Sequence, residues 1–239
     1  HALARIVASL HDDEGRIRVE GFLGEARAPS AERLAHLAKL PFDARAYLED
    51  VGAPQGFGEP EYDLLARQWL RPTLEVNGMG GGYQGPGTKT VLPSRAVAKI
   101  TARLVPGQDP ATVRAAIERH VAKHTPPGVR VTTLPSDAAA EAYEIPSDHP
   151  ALDAARAVLA EVFGRPALDV GMGGSVPIVR AFEQTLGAPT VFFSFSTADE
   201  DIHAPNEFYR PERFSMGLEA WARLWTRLAS MSLSRHAGP

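Results

Sequence analysis

The chain of 239 residues carries 25 Lys and Arg against 29 Asp and Glu, a net charge of −4, with 44% hydrophobic residues and no cysteine. That balance is ordinary for a folded globular chain, and cations scattered rather than massed leave no electrostatic footprint for nucleic acid or an anionic membrane. Missing thiols exclude disulfides and thiolate metal sites, so any metal would be held by nitrogen and oxygen, and with no apolar run approaching the roughly 18 to 20 residues of a membrane span a cytoplasmic chain is expected.

Leu3, Ile6, Val7 and Leu10 recur at helical spacing, and His11 to Gly15 form a polar turn before the alternating run 16–22. This predicts helix, turn and short strand. The chain starts at His1 already inside that amphipathic pattern, which reads as a chain cut from something longer. From Pro29 to about Leu70 the pattern is helical in pieces, broken by Pro41 and by the Gly and Pro cluster from Gly52 to Pro60. Thr73 to Asn77 predicts a strand entering the glycine-rich stretch from Gly78 to Thr90. In 95–104, Ala96, Ala98, Ile100, Ala102 and Leu104 share one face, while Arg95, Val97, Lys99, Thr101 and Arg103 share the other. The first face should pack on helices and the second should stay polar and open. A helix over 110–123 and a strand over 129–133 complete an α+β unit.

Small and polar residues from Pro135 to Pro146 interrupt the periodicity without starting a core element, which marks a boundary. Beyond it the pattern is α/β. A helix over 149–163 buries Leu152, Ala155, Val158, Leu159 and Val162 and is ended by Gly164. A short strand near 167–170, a helix over 176–186, a β-rich run over 190–195 and a long helix over 211–230 follow.

The glycine-rich stretch is not a phosphate loop, since Thr88 separates Gly87 from Lys89. It reads as a connection between strands. Gly173-Gly-Ser-Val-Pro177 lacks the glycine that a serine nucleophile elbow needs two residues after Ser175, so Ser175 is better explained as a helix cap or as part of an anion-facing patch of backbone N–H groups. His120 and His124 stand four apart on a predicted helix and read as solvated histidines near its C-terminus, while the histidines at 1, 11, 36, 149 and 236 sit in polar or terminal settings. His203 differs. It follows an apolar run, where α/β folds place their ligand crevice, and it is flanked by Asp199, Glu200, Asp201, Asn206 and Glu207, company suited to orienting an imidazole. Position and company leave a metal ligand and a polar surface residue both open.

Taken together, Gly173-Gly-Ser-Val-Pro177 and Ala198-Asp-Glu-Asp-Ile-His-Ala-Pro-Asn-Glu207 resemble the C-terminal part of the M20 metallopeptidases, the carnosinase-like dipeptidases in particular. Gly85 to Pro93 followed by Ala102-Arg-Leu-Val-Pro106 resembles the same family's lid, and the segment from His1 to Phe22 is similar to the part just after the lid's first strand. The resemblance runs along nearly the whole chain. It implies an α+β lid and dimerisation domain with an antiparallel sheet over 1–139, lacking its first strand. The C-terminal part of an α/β di-zinc catalytic domain would follow over 140–239.

The resemblance also implies roles. His203 matches the final zinc-binding histidine, Arg103 the lid arginine that grips the substrate's terminal carboxylate, and Thr90 a lid residue reaching the neighbouring subunit's site. Gly174 and Ser175 match the loop that contacts substrate beside the metals, while Met172 stands where many relatives carry an acidic residue. The remaining metal ligands and the general base belong to a half that would precede this chain. The chain alone is therefore expected to be inactive, and a full-length homodimer is expected to hydrolyse dipeptides or short peptides through two metal ions. An N-acyl amino acid deacylase or desuccinylase, and a noncatalytic dimerisation module, are the alternatives.

Overall fold

The computed structural model describes residues 1–134, 139–171, 176 and 178–231. It divides into two compact units, His1–Tyr143 with Gly171–Pro177, and Glu144–Val170 with Ile178–Pro239.

In the first unit, α1 (Ala2–Ala8) is followed by three short helices, α2 (Ala31–Leu37), α3 (Ala44–Asp50) and α4 (Leu64–Leu70). A hairpin of β1 (Thr73–Gly81) and β2 (Ala96–Arg103) and then α5 (Pro110–His124) complete it. The polar residue before each helix sets where it starts: Ser30, Asp43, Asp63 and Asp109 each accept backbone N–H groups of the first turn. Pro41 and the Gly52 to Pro60 cluster separate α2, α3 and α4, as their sequence spacing predicts.

The antiparallel hairpin alternates as its sequence does. Ile100, Ala102 and Leu104 join Leu74 and Val76 on the side that packs with Leu10, Val19, Phe22, Val113 and Ala116 of the core. Val97, Lys99, Thr101 and Arg103 face outward and are exposed. A bulge at Asn77 shifts the register, with Val76 opposite Ile100 but Gly78 opposite Lys99. β1 therefore runs four residues further than the sequence pattern suggests, because Gly78, Gly80 and Gly81 still pair with β2. Gly81, at φ 155°, lies so close to β2 that a Cβ there would sit 2.7 Å from the Ala96 Cβ. Only glycine fits that approach.

Buried Gln108 fastens the turn after β2 to the N-terminal segment. Its Oε1 accepts the Val105 N–H at 2.9 Å and its Nε2 donates to the Phe22 carbonyl at 2.7 Å. A second cluster of Leu37, Leu65, Ala66 and Leu70 holds α2 to α4, and Arg71 grips Glu59 through Nε at 2.6 Å and Nη2 at 2.7 Å beneath the Tyr62 ring.

In the second unit, α6 (Pro150–Phe163) packs against α8 (Pro211–Ala229), with α7 (Ile178–Leu186) between them in sequence. Ala154, Ala155 and Val158 meet Ala220 and Leu224, and the small side chains let the helices approach closely. Gly164, at φ 68°, caps α6 in the left-handed conformation. Glu161 accepts Arg227 Nη2 at 2.7 Å and lies 3.5 Å from Arg223 Nη1, tying α6 to α8 at the surface.

Several expected strands take other forms among the described residues. The run 16–22 makes one isolated bridge, Ile17 to His11, and then turns where Phe22 N–H meets the Val19 carbonyl, although Val19 and Phe22 are buried as the alternation requires. Residues 129–133 and 167–170 form no strand. The run 190–195 is more telling. Val191, Phe193 and Phe195 point inward while Phe192 and Ser194 are exposed, a period of two, yet no ladder forms. Side-chain alternation is encoded locally, whereas a ladder needs a neighbouring strand to exchange hydrogen bonds with.

Two histidine readings are corrected. His120 is buried rather than solvated, its Nε2 lying 2.9 Å from Ser9 Oγ where α5 meets the end of α1. His149 is also buried, its Nδ1 accepting the Ala151 N–H to cap α6.

Candidate functional site

The segment that carries His203 is organised by Arg210, the residue that opens α8. A single 3₁₀ turn, Ala198–Glu200, follows Thr197, and the chain then loops through 201–209. From the start of α8, Arg210 reaches back across the loop. Its Nη2 donates to Asp199 Oδ2 at 2.6 Å, and its Nη1 lies 2.8 Å from Thr197 Oγ1 and 3.2 Å from both Asp199 Oδ1 and Glu200 Oε1. The same guanidinium sits 4.8 Å from the centre of the Phe208 ring.

Glu200 is 1% exposed, and a buried carboxylate is costly unless it is paired and hydrogen-bonded. Arg210 supplies the pairing, and the Thr197 backbone N–H donates to Glu200 Oε2 at 3.2 Å. The hydrogen bonds from Arg210 and then Thr197 hold the Asp199 carboxyl down at about 2, so it stays ionised across the neutral range. Phe208 N–H closes the loop onto the Glu200 carbonyl at 3.2 Å.

Within this frame Asp201, His203 and Asn206 adopt positive φ of 50°, 66° and 69°. Left-handed backbone costs an ordinary residue about 1 kcal/mol or more, and Asp, Asn and His are among the non-glycine types that enter it most often. The sequence has one of them at each of the three positions. Ala204 N–H returns to the Asp201 carbonyl at 2.8 Å, and the His203 side chain is exposed on the resulting bend.

The flanking acids do not do what their proximity in sequence suggests. Asp199 and Glu200 are engaged by Arg210, and Glu207 lies 3.4 Å from the backbone N–H of His203. Among the described residues no group of three or more His, Asp or Glu side chains could hold a metal ion. His203 offers one imidazole donor where a zinc site takes about three or four protein ligands. The described residues do not compose a metal centre by themselves, and no chemical step through a metal follows from them.

Arg103 and Thr90 lie in the first unit. Arg103 ends β2 opposite Thr73, exposed on the outward face with Thr101, whose Oγ1 donates to Asn77 Oδ1 at 2.6 Å. Thr90 is exposed in the connection between the strands, beyond the other end of β2. Seven strand steps of about 3.3 Å put the two ends of β2 roughly 23 Å apart, and Arg103 stands at the end away from the connection that carries Thr90. The connection is shaped by Tyr83, whose hydroxyl donates to the Pro86 carbonyl at 2.8 Å and whose ring lies 5.1 Å from Lys89 Nζ. Val91 and Leu92 next to Thr90 are 73% and 92% exposed. His203 belongs to the second unit, and Gly174, Ser175 and Met172 lie outside the described residues.

Arg210 is the residue that sequence reasoning missed. Its signal is present in retrospect: an Arg immediately before a helix-starting proline, ten residues after Glu200 in an acid-rich loop, is placed to fold back on that loop.

Residues 1–129 match the family model described as the peptidase dimerisation domain, M20_dimer. Over 96% of its length the chain is 24% identical to Beta-Ala-His dipeptidase of Homo sapiens, covering 46% of that protein. Over 92% of its length it is 26% identical to the Cys-Gly metallodipeptidase DUG1 of Saccharomyces cerevisiae, again covering 46% of the relative. It therefore spans about half the length of these curated relatives. In fold it is similar to an M20 family metallo-carboxypeptidase of Sulfolobus solfataricus, with a TM-score of 0.82 at 24% identity over 93% of this chain and 51% of that one. It is likewise similar to human carnosine dipeptidase 1, with a TM-score of 0.76 at 22% identity over 96% of this chain and 49% of that one. Because the family model takes in residues 1–129 of 239, more than half of its length, the chain belongs to the M20 peptidases and carries their dimerisation domain.

Proposed function

We propose that the full-length protein hydrolyses the peptide bond of dipeptides or short peptides bearing a free C-terminal carboxylate, using two divalent metal ions, with zinc the expected ion. One observation carries this reading: the alignment to dipeptidases extends past the dimerisation domain along nearly the whole chain, through the His203 loop. In this reading His203 is a metal ligand and Arg103 holds the substrate carboxylate. A guanidinium at the end of an exposed, polar strand face suits that task, because its planar fork matches a carboxylate through two parallel hydrogen bonds. Gly174 and Ser175 contact the substrate.

Thr90 serves the active site of the neighbouring subunit in a homodimer built through residues 1–139, with 140–239 belonging to the catalytic domain. Residues 1–239 alone are inactive in this reading, which assigns the remaining metal ligands and the general base to other residues of the full-length protein.

The test is hydrolysis by the full-length protein of a dipeptide panel and an N-acyl amino acid panel, each with zinc, manganese or cobalt and with a chelator. Dipeptide cleavage abolished by the chelator is the expected result. Preferential cleavage of N-acyl amino acids would assign a deacylase, and no hydrolysis with any of the three metals would assign a noncatalytic dimerisation module.

A further inference from the structure

We infer that Arg210 is the positioning residue of the His203 loop: it fixes the bend that presents the His203 imidazole without itself touching substrate. The inference rests on the proposal that His203 serves the catalytic centre. The loop between Thr197 and α8 has no regular structure beyond one 3₁₀ turn, and it holds three non-glycine residues, His203 among them, in left-handed backbone. Such conformations persist only where surrounding contacts determine them. Local bonds close the bend itself, Ala204 N–H to the Asp201 carbonyl and His203 N–H toward Glu207, while the segments on either side of it, 197–200 and Phe208, converge on one side chain.

Arg210 joins both ends of the 3₁₀ turn. It reaches Thr197 before it, Asp199 within it and the buried carboxylate of Glu200 at its close. It also covers Phe208, whose N–H closes the far side of the loop onto the Glu200 carbonyl. Its own backbone is anchored at the first turn of α8, where its carbonyl accepts the Arg213 N–H at 2.9 Å, and α8 is fixed by its buried contacts with α6. A rigid helix thus dictates where the loop sits, through one guanidinium. A lysine cannot substitute fully, since a single ammonium carries the charge but not the planar fork that spans these acceptors.

The full-length protein tests this with Arg210→Ala and Arg210→Lys beside His203→Ala, read by steady-state kinetics and by amide hydrogen exchange resolved along the chain. Arg210→Ala is expected to lower kcat by about tenfold or more with KM changed far less, since a small misplacement of a catalytic group is enough for that. Exchange across 199–208 should rise by about tenfold while α6 and α8 keep their protection, the pattern of a local opening. Arg210→Lys should fall between Arg210→Ala and the wild type in both measurements. If Arg210→Ala does not fold, Asp199→Asn weakens one arm of the fork while leaving Glu200 paired, and the same pattern in milder form is expected.

Wild-type kcat and wild-type loop exchange in these variants would overturn the inference. So would exchange that rises equally through α6 and α8, which would make Arg210 a general stabiliser. A His203→Ala variant that keeps full activity would overturn the underlying reading of His203 instead, whatever Arg210→Ala does.

Discussion

Ser9 Oγ, at the C-terminus of α1, lies 2.9 Å from Nε2 of His120 on α5, a hydrogen bond that ties the two helices together. The Ser9 Oγ also lies 2.7 Å from the Ile6 carbonyl, to which its hydroxyl donates. His124 stacks on His120 with ring centres 4.0 Å apart, and its Nδ1 donates to the His120 carbonyl at 2.8 Å.

Burial, then the neighbouring His124 and Lys123, lower the His120 pKa from 6.5, with Ser9 opposing them. His11, Asp12, Arg18, Glu20 and Arg119 line the same cleft. A histidine whose folded pKa is depressed is favoured neutral, so the unfolded chain binds the proton more readily. The stability of the first unit should be full above pH 6.5 and fall as the pH drops through 6.5 toward the lower folded value, after which this loss is complete. Thermal unfolding from pH 8 to 5 should show the decline, and His120→Gln, which can still donate to Ser9, should flatten it. An unchanged slope in His120→Gln would remove His120 as its source.

Gln108 is expected to matter for stability well beyond its size. Gln108→Leu leaves the Phe22 carbonyl and the Val105 N–H without their partner in a buried setting. An unsatisfied buried group costs about 1–3 kcal/mol, and urea unfolding should show a loss in that range or above. A loss well under 1 kcal/mol would mean that water replaces the amide.

The two adjacent glycines of β1 should respond differently. A Cβ on Gly81 would meet Ala96 and the Arg95 carbonyl at 2.7 to 3.0 Å, whereas one on Gly80 finds nothing closer than Val97 Cγ1 at 3.9 Å. Gly81→Ala should therefore destabilise by about 1–3 kcal/mol and Gly80→Ala by much less. Equal effects in chemical denaturation would contradict the close approach of the strands.

Helices and the hairpin faces were legible in the sequence because their signals are local: caps at Asp43, Asp63 and Asp109, a stop at Gly164, and period-two burial from Ala98 to Leu104. Features that depend on partners distant in sequence were not. The run 190–195 shows strand alternation but not whether a neighbour pairs with it, and nothing near His120 in sequence announces Ser9, 111 residues away. At the candidate site the same division holds. His203 stood out by its position, whereas the acids around it were read as imidazole partners and instead face Arg210 or a backbone N–H. A guanidinium folding back over ten residues leaves no periodic trace.

The central claim is that His203 is a working ligand of a hydrolytic metal site in the full-length protein. The most direct measurement compares wild type with His203→Ala for bound divalent metal and for dipeptide turnover in the same preparations. Loss of metal stoichiometry together with a fall in kcat/KM of at least about a hundredfold, with cooperative unfolding retained, is the expected result. Undiminished metal content and turnover in His203→Ala would contradict it.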